Sequence, residues 1–245
     1  MTIPSLIDGL PVTTIGAGAF YNCTSLTSVT IPNSVTSIGV SAFASCTSLT
    51  NVTIGTNVTS IGSYAFYSCY GLTSVTIPNS VTSIGNHAFN DCTSLTSVTI
   101  GTSVTSIGNM AFSDCSSLKS VYFKGNAPGI GSDVFLNDNI ATVYYLPGTT
   151  GWGTPGTLFG GRPTALWFLP SPLILNGPSF GVRTNQFGFI ISWATNVPVV
   201  VEVCTNLANP IWSLVGTNTL TNGSSYFSDH EWTNYPGRYY RLRSP

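Results

Sequence analysis

The sequence predicts a mainly β protein in two parts, a solenoid of 23-residue repeats followed by a small β-sandwich. Isoleucine recurs at Ile15, Ile38, Ile61, Ile84, Ile107 and Ile130, and phenylalanine keeps the same step at Phe20, Phe43, Phe66, Phe89, Phe112 and Phe135. Cysteine follows in register at Cys23, Cys46, Cys69, Cys92 and Cys115. Beyond residue 169 this period stops, and strand patterns such as Phe187, Phe189, Ile191 and Trp193 replace it. Registered apolar positions at a fixed step mean units that cannot bury their own faces and must stack to share a core.

Within one unit, Leu26-Thr-Ser-Val29-Thr-Ile31 alternates apolar residues with small β-prone ones, which predicts a strand. Val35-Thr-Ser-Ile38 predicts a second extended piece, and Gly39 marks the bend after it. The three-to-four-residue spacing of Ala42-Phe43, Cys46 and Leu49 predicts a tight helical turn that packs Phe and Cys inward. The core ladder is therefore expected at Phe43, Phe66, Phe89, Phe112, Cys46, Cys69, Cys92 and Cys115.

The unit Ile-Pro-Asn-Ser-Val-Thr-Ser-Ile-Gly-x-x-Ala-Phe-x-x-Cys-Thr-Ser-Leu-Thr-Ser-Val-Thr resembles the bacterial leucine-rich repeat of the BspA-like surface proteins, from about Thr2 to Tyr145. Its cysteine ladder precedes the strand, where the commoner leucine-rich pattern has Asn or Cys just after it. The resemblance implies a leucine-rich repeat solenoid on a secreted or cell-surface bacterial protein that works by adhesion or protein binding. It implies no reaction and no cofactor.

The solenoid is expected over residues 1–168. Its sixth unit decays, with Asp138 at the cysteine position and Pro128 interrupting. Degenerate terminal units cover a core rather than extend it, so a cap is expected from about residue 141. At the other end Ile3-Pro4 matches Ile31-Pro32, and no polar coil precedes it. Two readings compete: the true start lies elsewhere, or the open end stacks on another molecule through Ile3, Leu6, Val12, Ile15 and Phe20. A head-to-tail contact of that kind propagates into filaments unless it closes.

Residues 169–177 are expected to be a linker, and 178–245 the β-sandwich. Phe187, Phe189, Ile191 and Trp193 alternate on one strand, and Val199, Val201 and Val203 on the next. Turn clusters at 206–210, 218–225 and 234–237 separate further strands near Trp212, Tyr226-Phe227 and Tyr239-Tyr240-Arg241-Leu242. The run Trp193, Glu202, Leu207, Trp212 and Tyr239-Tyr240-Arg241 is similar to fibronectin-type-III-like modules, which implies a spacer, anchor or secretion role.

Composition removes several classes of function. Only 6% of residues are charged and the net charge is −1, so no polybasic surface exists to neutralise nucleic-acid phosphates. No apolar run approaches the length of about 20 residues that crosses a bilayer. The first residues show neither a basic nor an apolar signal region. Zinc pairing fails because no Cys-x-x-Cys occurs. In-register cysteines on parallel coils have poor disulfide geometry, so all six, Cys204 included, read as buried thiols. His87 aligns with Gly18, Ser41, Tyr64 and Met110, a position that varies in every unit and so belongs on the surface. Asp229-His230-Glu231 with Glu202 is a weak candidate for metal binding, since adjacent residues on a turn are ordinarily solvated. With two histidines and eight acids, a catalytic triad has almost no material, and no enzyme is expected.

Residues 1–118 hold no Lys or Arg. Thr30, Thr53, Thr76 and Thr99 should form one outward column, and Thr36, Thr59, Thr82 and Thr105 another. Threonine is a good solvent-facing strand residue in its own right. An uncharged hydroxyl-and-methyl face also suits other copies of the chain, a host or matrix protein, a glycan, or ice. The expected function is thus structural or adhesive, by self-association or, as a monomer, by capture of a foreign partner.

Overall fold

A computed structural model describes residues 1–167, 173–175, 180–183, 186–193, 198–221, 223–234 and 237–243. The chain divides into two compact units, residues 1–145 with 149–165, and 146–148 with 166–245. The described residues are almost all strand and turn, with a single 3₁₀ turn at Trp232–Asn234.

The first unit is a solenoid. A hairpin of β1 (Leu6–Ile7) and β2 (Leu10–Pro11) precedes it, turning through Asp8 and Gly9, both at positive φ. One parallel sheet collects a two-residue strand from each coil: β3 (Thr14–Ile15), β5 (Ser37–Ile38), β7 (Ser60–Ile61), β9 (Ser83–Ile84), β11 (Ser106–Ile107) and β13 (Gly129–Ile130). On another side β4 (Ser28–Thr30) pairs with β6 (Asn51–Thr53). Farther along, β8 (Ser74–Ile77), β10 (Ser97–Ile100), β12 (Ser120–Phe123) and β14 (Thr142–Tyr145) pair in parallel. From Ser28 to Ser120 the register advances 23 residues per strand, Val29 facing Val52 and Val98 facing Val121. The step is thus the geometric period of the coil.

The expected helical turn is absent. Between Gly39 and Cys46 backbone donors alternate: Ser41, Phe43 and Ser45 give their N–H groups to the carbonyls of Ser63, Ala65 and Tyr67 of the next coil at 2.9, 2.8 and 2.7 Å, while Ala42, Ala44 and Cys46 close four-residue turns. Positive φ at Ser41 and Ser45, repeated in every coil, breaks any helix and turns alternate amides outward to the neighbour. Coils pack so closely that a Cβ on Gly62 would lie 2.7 Å from the Gly39 carbonyl carbon, which is why glycine repeats at this bend. Two further positions alternate in pairs of coils. Pro32 and Pro78 lie against Gly55 and Gly101, where a Cβ would strike the proline carbonyl, and the side-chain oxygens of Asn33 and Asn79 accept the N–H of Thr56 and Thr102.

The C-terminal end of the solenoid differs from the expected cap in one respect. Residues 142–145 continue the parallel sheet as β14, because Val143 still has a core face to fill beside Val121. Closure comes later, from β15 (Leu158–Phe159) antiparallel to β16 (Arg162–Leu166), which pairs with β14. Trp152 stacks on Tyr145 at 5.2 Å and meets Phe123 and Phe159 at 4.8 and 4.9 Å.

In the second unit one sheet holds β17 (Leu173–Leu175), β18 (Gly181–Arg183), β19 (Gln186–Ser192) and β22 (Ser224–Asp229). The other holds β20 (Pro198–Cys204), β21 (Ser213–Thr219) and β23 (Tyr239–Arg243). Among the described residues, neighbouring strands in both sheets run antiparallel. Residues 173–175, placed in a linker by the loss of the repeat, are instead an edge strand, because their apolar run pairs with Ile190, Ile191 and Ser192. The rest of that expected linker, 169–172 and 176–177, lies outside the described residues. Phe189, Ile191, Val199, Val201, Leu220 and Phe227 form the core of this unit.

Candidate binding surface

Burial sorts the repeat positions. Phe43, Phe66, Phe89 and Phe112 are fully buried, and their rings form one column running from Phe20 to Phe135 with centroids 5.0–5.8 Å apart. Cys46, Cys69, Cys92 and Cys115 are equally buried, each thiol donating to the carbonyl of the phenylalanine 26 residues earlier at 3.1–3.2 Å. All six cysteines are free thiols. Burial pushes Cys46 up to about 11 and Cys69 to about 12, so neither carries thiolate at neutral pH.

At the N-terminal end, Ile3 and Ile15 belong to the core, at 7% and 4% exposure, because Ile3 donates to the Thr30 carbonyl and Thr30 donates back to Met1. Val12 and Phe20 are half-buried and Leu6 is 55% exposed. The apolar surface there is Leu6, Ile7 and Leu10, on a hairpin that the repeat pattern does not announce.

The two threonine columns sit on different sides of the coil and have different chemistry. Thr36, Thr59, Thr82 and Thr105 each donate Oγ1 to the backbone carbonyl of the threonine one coil back, at 3.0–3.2 Å. Their hydroxyl protons are committed within the protein. Thr30, Thr53 and Thr76 are exposed and Thr99 half-buried, and among the described residues their hydroxyls make no hydrogen bond. The second column therefore keeps its donors for something else. It also changes character along its length: after Thr99 the same register holds Tyr122 and Tyr144, whose rings stack at 5.1 Å. A depression of about 610 Å³ runs beside it, lined by Thr53, Thr76, Asn79 and Lys124 among others.

The chain matches the family described as BspA type Leucine rich repeat region over residues 13–144, in six copies, which is more than half of its length. It belongs to that family. Among solved structures, a leucine-rich repeat protein of T. pallidum is 34% identical with a TM-score of 0.53, and the match covers 57% of this chain and 76% of that one. A leucine-rich cell surface protein of Faecalibacterium prausnitzii is 35% identical, covering 51% of this chain and 32% of that one, with a TM-score of 0.48. The pneumococcal vaccine antigen PcpA, 19% identical with a TM-score of 0.53 over 69% of this chain and 41% of its own, shares the fold. No curated protein sequence matches significantly.

The acidic residues weighed for metal binding are paired with arginines, Arg238 lying near both Asp229 and Glu231. Glu202 accepts from Arg241 at 2.6 Å and Arg243 at 3.1 Å, which hold its carboxyl below the usual range. Asp229 is buried against Arg238 at 3.1 Å and accepts the Tyr240 hydroxyl at 2.7 Å. Burial, and then this bond, raise the Tyr240 phenol. No group of three or more His, Cys, Asp or Glu is placed to hold a metal among the described residues. Among the same residues no helix is long and apolar enough to cross a membrane.

Two features escape a reading of the sequence alone. The continuation of the threonine column into Tyr122 and Tyr144 is one, although Tyr122 stands 23 residues after Thr99 and the repeat could have placed it. Asp138 replaces the ladder cysteine yet is fully buried, and burial outweighs the Cys115 backbone and Arg162 to lift its carboxyl to about 7.

Proposed function

We propose that this chain is a non-enzymatic cell-surface module acting through protein–protein contacts, with the column Thr30, Thr53, Thr76, Thr99, Tyr122 and Tyr144 as its binding face. The observation that carries the reading is the column's uncommitted threonine hydroxyls ending in a stacked tyrosine pair. A partner docking there gains hydrogen bonds from the threonines, meets Lys124 in the adjoining depression, and finds aromatic anchors of the kind that dominate interfaces. Membership of a bacterial surface-protein family supports both the location and the adhesive role. The second unit fits the reading as a fibronectin-III-like spacer or anchor. The test is an array of host and matrix proteins probed with the purified chain. A hit should be lost on Tyr122→Ala and Thr76→Lys and kept on Thr59→Lys, whose residue lies just before β7 of the other sheet. Loss with Thr59→Lys alone would refute the assignment.

Self-association is a second reading, favoured by exposed Leu6, Ile7 and Leu10 beside half-buried Phe20. The β15–β16 hairpin with Trp152 covers the far end of the solenoid, so copies would meet through the hairpin of Leu6, Ile7 and Leu10. Light scattering over a concentration series should then reveal a dimer that Leu10→Lys dissolves. A monomer at every concentration would end this reading.

A further inference from the structure

We propose that the depression beside the threonine column receives an acidic side chain of a protein partner, a single Asp or Glu on an otherwise uncharged segment, held by Lys124 and Asn79. The inference rests on the binding face assigned above and names the chemistry of what that face takes.

The first observation is a break in the sheet. Strand β4 pairs with β6, and β8 pairs with β10, yet β6 and β8, on consecutive coils, form no ladder. Upstream of them Gly71 gives its N–H to the Thr47 carbonyl at 3.1 Å, and the pairing goes no further. The depression of about 610 Å³ lies along this break, with Asn51 and Thr53 on one bank and Ser74, Thr76 and Asn79 on the other. Val52 and Ile54, which also line it, are 7% exposed, against 3% or less at Val29, Ile31, Val75 and Ile77 in the neighbouring coils.

The second observation is an uncompensated cation. Lys124 stands in the register of Pro32, Gly55, Pro78 and Gly101. Gly101, between Lys124 and Pro78 in that column, has no side chain to fill the lane, and Lys124 lines the depression two coils back. Lys124 is half-buried, and among the described residues its ammonium meets no carboxylate within ion-pair distance. None of the residues lining the depression is Asp or Glu.

The third observation selects the ligand. The Thr102 N–H donates to Asn79 Oδ1 at 3.2 Å, which fixes the amide and leaves its Nδ2 hydrogens without an acceptor among the described residues. The Thr53 and Thr76 hydroxyls are uncommitted as well. The lining thus offers donors and one positive charge, the complement of a carboxylate. One ammonium balances one carboxylate. A polyanion such as a nucleic acid or a sulfated glycan brings a charge at every unit, and residues 1–118 supply no Lys or Arg to meet it. Ile54, Ile77 and Pro78 beside the donors favour a peptide with apolar neighbours over a fully hydroxylated sugar acid.

The experiment is an NMR titration of the whole chain with the capped peptide Ser-Val-Glu-Val-Ser, its Gln twin, and glucuronic acid, followed at the Asn79 side-chain amide and the Thr53 and Thr76 backbone amides. The Glu peptide should give a saturable shift, and the Gln twin should bind about fivefold or more weakly, the scale of losing a hydrogen bond to a charged group. Lys124→Gln should weaken the Glu peptide by the same factor and leave the Gln twin unchanged. Lys119→Gln makes the same charge change on the other flank of β12, outside the depression, and should alter neither. Asn79→Asp keeps the acceptor for Thr102 and puts a carboxylate of the protein's own into the depression, so it should remove the preference for Glu over Gln. Absence of a saturable shift with the Glu peptide, equal binding of its Gln twin, equal loss with Lys119→Gln, or tighter binding of glucuronic acid would each overturn the proposal. A protein partner that needs Tyr122 but is indifferent to Lys124→Gln would refute this inference and leave the binding face standing.

Discussion

Replacing Asp138 by cysteine should make the protein more stable at neutral and alkaline pH. Asp138 occupies the place where four buried thiols each donate to a phenylalanine carbonyl, and a thiol there would stand in the same relation to Phe112. The carboxyl makes no hydrogen bond of ordinary geometry, and burial lifts it from the usual 3.8 to about 7. Because the folded value is raised, the folded state binds the extra proton across that interval. Stability is then greatest below about pH 4 as far as this group is concerned, and declines as pH rises towards 7. Three units at about 1.36 kcal/mol each amount to roughly 4 kcal/mol. The net gain from substitution is smaller, since Arg162 loses a nearby counter-charge while keeping its 3.0 Å bond to the Asp138 backbone carbonyl. The assay is urea unfolding followed at the amides of the last coil, near pH 4 and near pH 8. The native chain should be weaker in that coil near pH 8, and Asp138→Cys should recover roughly 2–4 kcal/mol there with little change near pH 4. A flat pH dependence in the native chain, or a variant less stable near pH 8, would refute the reasoning.

Three further outcomes are expected. Phe66→Ala removes a ring buried between two others and should cost about 3–5 kcal/mol in chemical unfolding. A loss under about 1 kcal/mol would place that ring outside the tightly packed column. Gly62→Ala forces a methyl against the Gly39 and Val40 backbone and should lower the melting temperature sharply, whereas Gly16→Ala, with open space around it, should be near neutral. Thr59→Val breaks a hydroxyl bond to the Thr36 carbonyl and should cost about 1 kcal/mol. Thr53→Val breaks none and should be neutral or better in the same thermal scan.

The solenoid is legible in the sequence because its cause is periodic. Each coil meets the same neighbours, so Phe66 and Cys69 recur at a step that any self-comparison finds, and the strands at Val29 and Ile38 follow from alternation. The bend reads as helical because Ala42, Phe43, Cys46 and Leu49 have helical spacing. The positive φ at Ser41 leaves no such trace, since serine, tyrosine and methionine fill that position as readily as glycine. The Ser45 position instead holds Asn22, Ser68, Asp91, Asp114 and Asn137, mostly residues that suit positive φ. The two threonine columns look equivalent in sequence, yet only one commits its hydroxyls to the preceding coil. Thr30, Thr53, Thr76 and Thr99 lie within strands, whereas Thr36, Thr59, Thr82 and Thr105 come just before the short strands, where each hydroxyl reaches the carbonyl of the coil before it. Residues 173–175 stay hidden for a related reason, an edge strand too short to show alternation.

The free-thiol ladder has a mechanical consequence. Backbone hydrogen bonds and stacked rings join each coil to the next, and among the described residues no disulfide crosses between them. A steady pull on the two ends of the solenoid therefore meets no covalent stop, and coils can peel away one at a time. Each coil of 23 residues that lets go adds roughly 75 Å of slack. Thiols held protonated by burial resist oxidation into cross-links while the coils remain stacked. A solenoid built this way should lengthen under load in repeated steps of similar size.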